Sequence, residues 1–305
     1  MQPILSVRDL SSRLRVKPDR LREIARDIGS HYKDRWLKKG SKSRRLSVPD
    51  EELKEIQRRI NSNILSKLPL GSTVYGGVRG GSPRRNAGEH VSQPYVVNMD
   101  VKEFFPNVRH YMVYRMFRHE LGFGKDVASL LTRLTTYRSL LPQGAPTSTA
   151  VANLLLASPV DIPVAKEAER LGLKYSRFVD DIAISGPNPR PLINAIAKLL
   201  SRRRLPIHRA KRNGRSKLRI TGVGRVQMVT GLIVNSPRGL SVPRARRESV
   251  RAAVWALRRA QNHELKSAIA SIRGRVAYIA QFNRGSAKRL NAYLASALAA
   301  KGLAS

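Results

Sequence analysis

The sequence predicts a fold of the α+β class, with strands concentrated in the middle of the chain and a helical, basic C-terminal part. Strand-like runs lie between residues 95 and 235, whereas apolar residues recur at helical spacing before residue 30 and after residue 243. The chain has 305 residues, of which 41% are hydrophobic, so it can form packed cores. Its formal net charge of +37 favours a polyanionic partner.

The composition also excludes several classes of protein. The chain contains no cysteine, which excludes disulfides, zinc–thiolate sites and thiol catalysis. Its first residues lack the pattern of a secretory signal, and the longest apolar stretch, around residues 150–157, is too short to span a bilayer. We therefore expect a cytoplasmic protein that handles a polyanion and does not bind membranes.

The N-terminal third alternates between helical and extended patterns. Residues 1–30 predict short amphipathic helices, residues 31–49 a β-hairpin with a basic tip, and residues 50–67 another helix. A glycine-rich basic loop follows over residues 71–85. The next apolar run predicts a strand that ends at Asp100.

The remaining two thirds mixes helices with short strands. Helical patterns cover residues 109–138, and residues 147–171 predict two helices broken at prolines 159 and 163. Two short strands over residues 174–185 flank Asp180 and Asp181. A helix over residues 190–204, strands over residues 218–235 and basic helices from Pro243 complete the chain.

Carboxylates in apolar, strand-like surroundings stand out because acidic residues are scarce, 21 against 58 Lys and Arg. Asp100 ends one strand, and Asp180 and Asp181 lie between two others. Adjacent carboxylates repel each other unless a cation intervenes, and Mg²⁺ prefers oxygen ligands. An ordinary turn is the simpler interpretation of an Asp-Asp pair taken alone.

Four stretches in the same order resemble the motifs of reverse transcriptases. Residues 96–106 (VVNMDVKEFFP) resemble the first palm motif, and residues 141–154 (LPQGAPTSTAVANL) resemble the Pro-Gln-Gly motif. Residues 178–181 (FVDD) resemble the Tyr-x-Asp-Asp apex, with Phe178 in place of the tyrosine. Residues 227–234 (QMVTGLIV) resemble the primer-grip region. This resemblance spans about residues 30–280.

Two further matches resemble retron reverse transcriptases in particular. Asn86 and His90 fit an Asn-Ala-x-x-His signature, and Val229, Thr230 and Gly231 fit a Val-Thr-Gly signature. In that family the enzyme copies a structured non-coding RNA from its own locus, primed from a 2′-hydroxyl, into a branched RNA–DNA hybrid. Such systems commonly act with an accessory effector in anti-phage defence. A packed histidine and an ordinary strand end are the alternatives for these two signatures.

The resemblance implies a right-hand polymerase fold. We expect N-terminal helices and fingers over residues 1–95 and a palm with an antiparallel sheet over residues 96–235. Fingers helices at about residues 107–140 would be inserted in that palm, and a helical thumb would cover residues 236–305.

The resemblance also implies the catalytic groups. Asp100 and Asp180 would bind metal ions, with Asp181 assisting and the Val101 carbonyl contacting the ion that accompanies the nucleotide. Two Mg²⁺ ions are expected, with Mn²⁺ as a substitute. Lys211 would protonate pyrophosphate as a general acid, although a generic basic surface explains it nearly as well.

Further residues match the nucleotide site and the RNA interface of the family. Phe105 would select deoxynucleotides by clashing with a 2′-hydroxyl, and core packing beside Phe104 on a strand is the alternative. The other nucleotide-binding candidates are Lys38, Lys39, Arg45, Gln143 and Gly144. For the three basic residues among them, the alternative is a solvated loop that contacts only RNA. The RNA- and primer-binding candidates are Asn86, His90, Val229, Thr230, Gly231, Arg244, Arg247, Arg251 and Arg258.

Two other functions remain open at this point. Another small bacterial reverse transcriptase, related to group II introns or to defence, would share the chemistry without a dedicated branched RNA. A non-catalytic RNA-binding scaffold would have no need of three carboxylates in these positions.

Overall fold

The computed structural model describes residues 2–39, 42–208, 211–212, 215–216, 218–257 and 262–301. Its helices are α1 Val7–Leu14, α2 Pro18–Arg26, α3 Glu51–Asn63, α4 Pro83–Gly88, α5 Phe104–Asn107, α6 His110–Arg115, α7 Lys125–Thr135, α8 Ser148–Leu156, α9 Ile162–Arg170, α10 Arg190–Arg202, α11 Arg244–Ala256, α12 Asn262–Ala280 and α13 Arg284–Ala299. Its strands are β1 Tyr32–Lys39, β2 Lys42–Pro49, β3 Tyr95–Asp100, β4 Lys174–Phe178, β5 Asp181–Gly186, β6 Lys211–Arg212, β7 Arg215–Ser216, β8 Arg219–Gly222, β9 Met228–Val229 and β10 Leu232–Ile233.

A four-stranded antiparallel sheet forms the centre of the fold, with the strand order β4-β5-β3-β8. The predicted basic hairpin over residues 31–49 is confirmed as β1 and β2, which pair from Tyr32↔Pro49 to Lys39↔Lys42. The predicted α+β class and the strand that ends at Asp100 are also confirmed.

The two faces of the central sheet pack against different cores. Side chains alternate across a strand, and Val97, Met99, Ile182 and Ile184 belong to a first core with the N-terminal helices, α6–α10 and the segments between them. Val96 and Ala183, on the opposite face, belong to a second core with β9, β10 and helices α11–α13. By the same alternation, Asp100 and Asp181 lie on the face of the second core.

The helix over residues 148–170 is continuous, so the break predicted at prolines 159 and 163 is wrong. A π-helical segment, Ala157–Asp161, joins α8 to α9 and shifts the hydrogen-bond pattern where Pro159 lacks a donor. This helix is long and apolar enough to cross a membrane, but 61% of its most apolar window is buried inside the protein. It is a core helix.

Phe104 and Phe105 lie on the helical turn α5 rather than on a strand, contrary to prediction. Glu103 precedes them with a φ of 44°, in the left-handed region, and this turns the chain out of the β3 direction. Phe104 is buried in the first core, whereas Phe105 is only partly buried against it. The two rings meet edge to face, with centroids 5.6 Å apart.

A buried ion pair links the central sheet to the core helix. Arg177 on β4 and Asp161 at the end of the π-helical segment have side chains that are 0% and 1% exposed. The guanidinium donates from Nε to Asp161 Oδ1 at 2.8 Å and from Nη2 to Oδ2 at 2.6 Å, and Tyr175 donates its hydroxyl to Oδ1. Burial opposes the charge on Arg177, but attraction to Asp161 outweighs it and raises the pKa of Arg177.

The same guanidinium holds the turn between β4 and β5. Phe178 pairs with Asp181, so Val179 and Asp180 form a two-residue hairpin turn. Val179 has a φ of 61°, a conformation that is strained for a β-branched residue. Arg177 donates from Nη1 to the Val179 carbonyl at 2.8 Å and to Asn153 Oδ1 at 2.9 Å. The strained turn is therefore tied to two helical segments through one side chain.

The segment 73–77 covers the open side of β4 and contacts the turn from outside. Its backbone bonds Arg177 twice, from Arg177 N to Thr73 O and from Tyr75 N to Arg177 O, each at 2.9 Å. A Cβ atom on Gly76 would lie 2.6 Å from the Val179 nitrogen, so only glycine fits there. Asn153 donates to the Gly76 carbonyl at 2.8 Å and closes the network.

We predict that Arg177→Met destabilises the fold by about 3–5 kcal/mol, because it leaves the Asp161 charge buried without its partner. The free energy of unfolding in urea measures this. Arg170→Met removes an arginine that pairs with Glu167 on the exposed surface of α9, and it should change stability little.

The double variant Arg177→Met/Asp161→Leu should regain much of that stability, because neither charge remains buried. Backbone amides at residues 178–181 should nevertheless exchange with solvent faster than in the unsubstituted protein, since nothing replaces the bond to the Val179 carbonyl. Unchanged exchange at these amides would show that the guanidinium does not hold the turn.

Candidate active site

The three predicted carboxylates meet at one end of the central sheet. Asp100, the last residue of β3, is the register partner of Asp181, the first residue of β5. Residues in such register have Cβ atoms about 4.5–5.5 Å apart. Asp180 precedes Asp181 in the turn, and its carbonyl accepts the Val101 N–H at 3.3 Å. The backbone thus brings together residues that lie 80 positions apart in the chain.

These residues do not form a metal site with a complete set of protein ligands. In the described part of the chain, no three or more His, Asp or Glu side chains are grouped so that they could hold a metal ion. Mg²⁺ usually keeps several waters and is bound by one or two carboxylates together with substrate phosphates. Two strand-end carboxylates in register, with a third beside them, fit an ion that is completed by a triphosphate.

Two phenylalanines are close to the carboxylates, Phe178 by strand register and Phe105 by its place in the sequence. Phe178 is the register partner of Asp181 on its other side, so Phe178, Asp181 and Asp100 form a row across three strands. Phe105 follows Asp100 by five residues on α5 and is partly exposed. Of the adjacent phenylalanines, Phe104 is the one in the core, which leaves Phe105 for contact with a ligand.

The Pro-Gln-Gly segment packs against the base of the β1–β2 hairpin. Ser47 on β2 donates its N–H to the Gln143 carbonyl at 2.8 Å. Gly144 has a φ of 111°, and a Cβ there would lie 3.3 Å from the Ser47 carbonyl oxygen, so glycine is favoured for both reasons. The structure therefore brings Gln143 and Gly144 close to Arg45, two residues from Ser47.

Arg45 itself is engaged in an ion pair. Its Nη2 donates to Asp34 Oδ2 across the hairpin at 2.8 Å, and Arg138 lies 3.4 Å from the same oxygen. Hydrogen bonds from Arg45 and Ser47 lower the pKa of Asp34. Lys38 and Lys39 lie at the end of β1 and Lys211 begins β6, but the side chains of these three lysines lie outside the described part of the structure.

The Asn-Ala-x-x-His signature is buried, which does not agree with direct contact between its side chains and RNA. His90 is 0% exposed, and its ring nitrogens each lie 2.7 Å from a serine hydroxyl, Ser185 on β5 and Ser176 on β4. Burial lowers the pKa of His90 to about 4, with a smaller effect from Lys174, so the ring is neutral at pH 7. Asn86 is also buried, at 1% exposure. The packed-histidine alternative is the one the structure supports.

The Val-Thr-Gly signature forms the turn of the β9–β10 hairpin. Thr230 and Gly231 have φ values of 46° and 78°, as a tight two-residue hairpin requires, while Val229 is buried in the second core. Thr230 donates its hydroxyl to the Pro83 carbonyl at 2.9 Å. The two signatures therefore pack together on the second-core face of the sheet. Of the residues that define them, only Thr230 and Gly231 reach the surface, together with the variable positions Gly88 and Glu89.

A basic groove of about 510 Å³ lies between α11 and α13. Arg247 donates to Ser286 at 3.1 Å, while its buried Nε has no hydrogen-bond partner. Arg244 pairs with Glu248, the one acidic residue of the lining. The groove is lined by Arg244, Arg247, Glu248, Arg251, Ser286, Arg289, Leu290 and Tyr293. Arg258 lies outside the described residues.

Sequence reasoning missed the residues that position this site. Asp161 gave one usable signal, as an acidic residue within an otherwise apolar helix. Arg177 gave none, because an arginine on a strand is normally exposed. Ser286, Arg289 and Tyr293 were missed because the second wall of the basic groove depends on how α13 packs on α11.

Comparison with known proteins agrees with this geometry. Residues 36–223 match the sequence model of the family described as reverse transcriptase (RNA-dependent DNA polymerase). Retron Ec86 reverse transcriptase of Escherichia coli is 28% identical over 296 residues, which cover 96% of this chain and 89% of that protein. Retron Mx65 and retron Mx162 reverse transcriptases of Myxococcus xanthus are 32% and 33% identical, over 81% and 72% of this chain.

The chain spans 60% of the Mx65 protein and 50% of the Mx162 protein. Among solved structures, telomerase from Candida albicans in complex with a fragment of telomeric RNA superimposes with a TM-score of 0.46 and 9% identity, over 88% of this chain and 63% of that one. The family match covers more than half of the chain and contains Asp100, Asp180 and Asp181. The chain therefore belongs to the reverse transcriptase family, and it is a member of the retron type.

Proposed function

We propose that this protein copies a structured non-coding RNA into DNA at the sheet end that bears Asp100, Asp180 and Asp181. The observation that supports this most directly is the register of Asp100 with Asp181 across β3 and β5. We divide the chain into fingers over residues 1–95, a palm over residues 96–235 with helices inserted at about 107–140, and a thumb over residues 236–305.

The carboxylates would bind two Mg²⁺ ions, which Mn²⁺ can replace, with Asp100 and Asp180 as ligands and Asp181 in support. The Val101 carbonyl would complete the set. Divalent ions neutralise the triphosphate and stabilise the charge that develops on its oxygens during in-line displacement. The chain itself would hold the three carboxylates in place for these ions. Strand pairing and the hydrogen bonds of Arg177 fix the backbones of Asp100 and of the Asp180–Asp181 turn before substrate binds.

The nucleotide would lie between the carboxylates, the hairpin and the Pro-Gln-Gly segment. Arg45 can offer its guanidinium to a triphosphate by exchanging its contact with Asp34. Lys38 and Lys39 precede the hairpin tip on the adjacent strand and would add positive charge. Gln143 and Gly144 would contact the nucleotide and template, and Lys211 would protonate the leaving pyrophosphate.

The RNA partner would be held by charge distributed over the protein surface. The basic groove between α11 and α13 offers four arginines and one glutamate, a suitable environment for phosphates of an RNA stem or an RNA–DNA hybrid. Arg258 remains a candidate for RNA contact from the sequence alone. Thr230 and Gly231 remain candidates for primer contact. Asn86, His90 and Val229 are buried and would instead support the β9–β10 hairpin from the second core.

The retron relatives support a more specific role. We infer that the template is one cognate RNA, primed from its own 2′-hydroxyl and converted to a branched RNA–DNA hybrid in the cytoplasm. By the same relationship, an accessory effector protein and a role in anti-phage defence are proposed. A reverse transcriptase related to group II introns would instead accept many RNAs, and a scaffold would bind RNA without copying it.

Substitution of one carboxylate tests catalysis. Asp180→Asn should lower deoxynucleotide incorporation at least about a hundredfold on a supplied RNA template and primer, because the ligand charge is lost while the turn persists. Binding of RNA should be unchanged. Asp126→Asn, on the exposed surface of α7, is the matched control and should retain full activity. Full activity of Asp180→Asn would refute the metal assignment.

Substitution of Phe105 tests sugar selection. Phe105→Ala should raise ribonucleotide use relative to deoxynucleotide use by about tenfold or more, since the ring no longer clashes with a 2′-hydroxyl. Phe104→Leu changes the buried neighbour and should leave the ratio as it was. The measurement is the rate of incorporation of each ribonucleotide divided by that of the deoxynucleotide with the same base. An unchanged ratio in Phe105→Ala would show that Phe105 does not select the sugar.

Sequencing of the nucleic acid that copurifies with the protein tests the retron role. One RNA joined by a 2′–5′ branch to one DNA is the expected species, and debranching should release both strands. A heterogeneous pool of unbranched RNAs would instead favour the group II intron-related interpretation. RNA without any DNA, from a protein that also fails to incorporate nucleotides, would favour the scaffold.

A further inference from the structure

A second basic groove lies apart from the surfaces described above. It has a volume of about 490 Å³ and lies between the start of α6, the turn after α7 and the end of α10. It shares no lining residue with the carboxylate site, the Pro-Gln-Gly segment or the groove on α11 and α13. Its lining residues are Asn107, Arg109, His110, Tyr111, Ser139 and Arg204.

The charge of this groove suits an anion. Arg109 and Arg204 have exposed side chains, and neither forms an ion pair with a carboxylate within the described ranges. None of the six lining residues is acidic. Two unpaired guanidiniums in one concave site can bind a single phosphate group from two sides.

Two walls of the groove are fixed by tight backbone turns. Tyr137 and Leu140 exchange backbone hydrogen bonds of 2.8 and 3.0 Å, so Arg138 and Ser139 form a two-residue turn with φ values of 49° and 60°. The Ser139 carbonyl also accepts the His110 N–H at 2.9 Å. Arg204 lies two residues after the end of α10 and has a φ of 56°. Positive φ values are uncommon for residues other than glycine, and backbone hydrogen bonds, including one from the Arg204 N–H to the Ser201 carbonyl at 2.9 Å, keep these turns in place.

His110 adds a hydrogen-bond acceptor beside the two cations. Thr136 donates its single hydroxyl proton to the Thr132 carbonyl at 2.7 Å, so it must accept from His110 Nδ1, also at 2.7 Å. In the neutral ring, Nε2 therefore has no proton and can accept a hydrogen bond. Burial, and to a lesser degree Arg133, lower the pKa of His110 and favour this neutral form.

We propose that this groove binds one ribose-phosphate unit of an RNA strand. Arg109 and Arg204 contact the phosphate, and His110 Nε2 accepts a hydrogen bond from the 2′-hydroxyl. Tyr111, whose side chain is 45% exposed, offers a ring on which the base can stack. The 2′-hydroxyl is the group that distinguishes RNA from DNA, so the site selects RNA.

The groove is connected by hydrogen bonds to the loop that follows Asp100. Asn107 donates to the Lys102 carbonyl at 2.8 Å, and the Lys102 N–H donates to Pro206 at 2.9 Å. The next residues of that segment reach the catalytic strand, where the His208 N–H donates to the Asp100 carbonyl at 2.7 Å. An RNA strand bound here is therefore anchored against the same loop that follows Asp100. The proposal rests on the proposed handling of RNA but not on catalysis.

The absence of cysteine in the natural chain allows a local test. In Ser139→Cys the only thiol lies in the groove, and its rate of alkylation reports whether the groove is covered. A short single-stranded RNA should slow alkylation about tenfold at saturation, with EDTA present so that no synthesis occurs. Ser30→Cys, exposed after α2, is the matched control and should react at the same rate with and without RNA.

Changes to the protein and to the ligand then separate the outcomes. Adding Arg109→Ala and Arg204→Ala should raise the RNA concentration for half-protection at least about tenfold and lower its logarithmic salt dependence by about 0.7, the value for one single-strand phosphate. Adding Arg26→Ala, an exposed arginine on α2, should change neither. DNA or 2′-O-methyl RNA of the same sequence should protect only at higher concentration, which tests the hydroxyl without altering the protein.

Three results would overturn the proposal. Equal protection by RNA and DNA would show that the 2′-hydroxyl is not recognised. Protection that survives the loss of both arginines would show that they do not bind the phosphate. Protection by inorganic pyrophosphate at lower concentration than RNA would assign the groove to the reaction product. Because Asp180→Asn should not alter protection, failure of catalysis is distinguished from failure of this site.

Discussion

The buried ion pair between Arg177 and Asp161 is the constraint on which the geometry of the site depends. It places a charged side chain of the sheet in the first core, where it can exist only because a carboxylate from the core helix meets it. One Nη of the same guanidinium bonds the Val179 carbonyl, so the residue before the two aspartates is held in a conformation that valine otherwise avoids. The position of the acidic turn is thereby set by the core beneath it.

The molecule separates its two kinds of charge. The carboxylates at the end of β3 and β5 lie close together on one face of the sheet, whereas excess positive charge is spread over the helices and loops around it. A substrate with many phosphates is attracted over a wide surface. The row formed by Phe178, Asp181 and Asp100 instead places two carboxylates side by side, and it is there that we propose divalent cations to bind.

Sequence patterns predicted the helices, the basic hairpin and the meeting of the carboxylates, because each depends on local periodicity or on strand ends that share one edge. They failed where distant elements decide the outcome. Pro159 and Pro163 suggested a break, but a π-helical segment accommodates them without ending the helix. His90 resembled a ligand-binding residue, yet its partners Ser176 and Ser185 come from strands about 90 positions away in the chain. The groove around Arg109 and Arg204 had no motif, since its walls come from three separate segments.

The second core has a consequence for engineering. Val96 and Ala183, which lie on the same face of the sheet as Asp100 and Asp181, belong to the same apolar cluster as Val250, Val254 and Leu290 of the C-terminal helices. The helices that form the basic groove and the strands that bear the carboxylates therefore share one packed interior. A chimaera that exchanges the C-terminal helices between relatives, in order to change the proposed RNA contact, must also transplant the residues on the face of the sheet that packs against them.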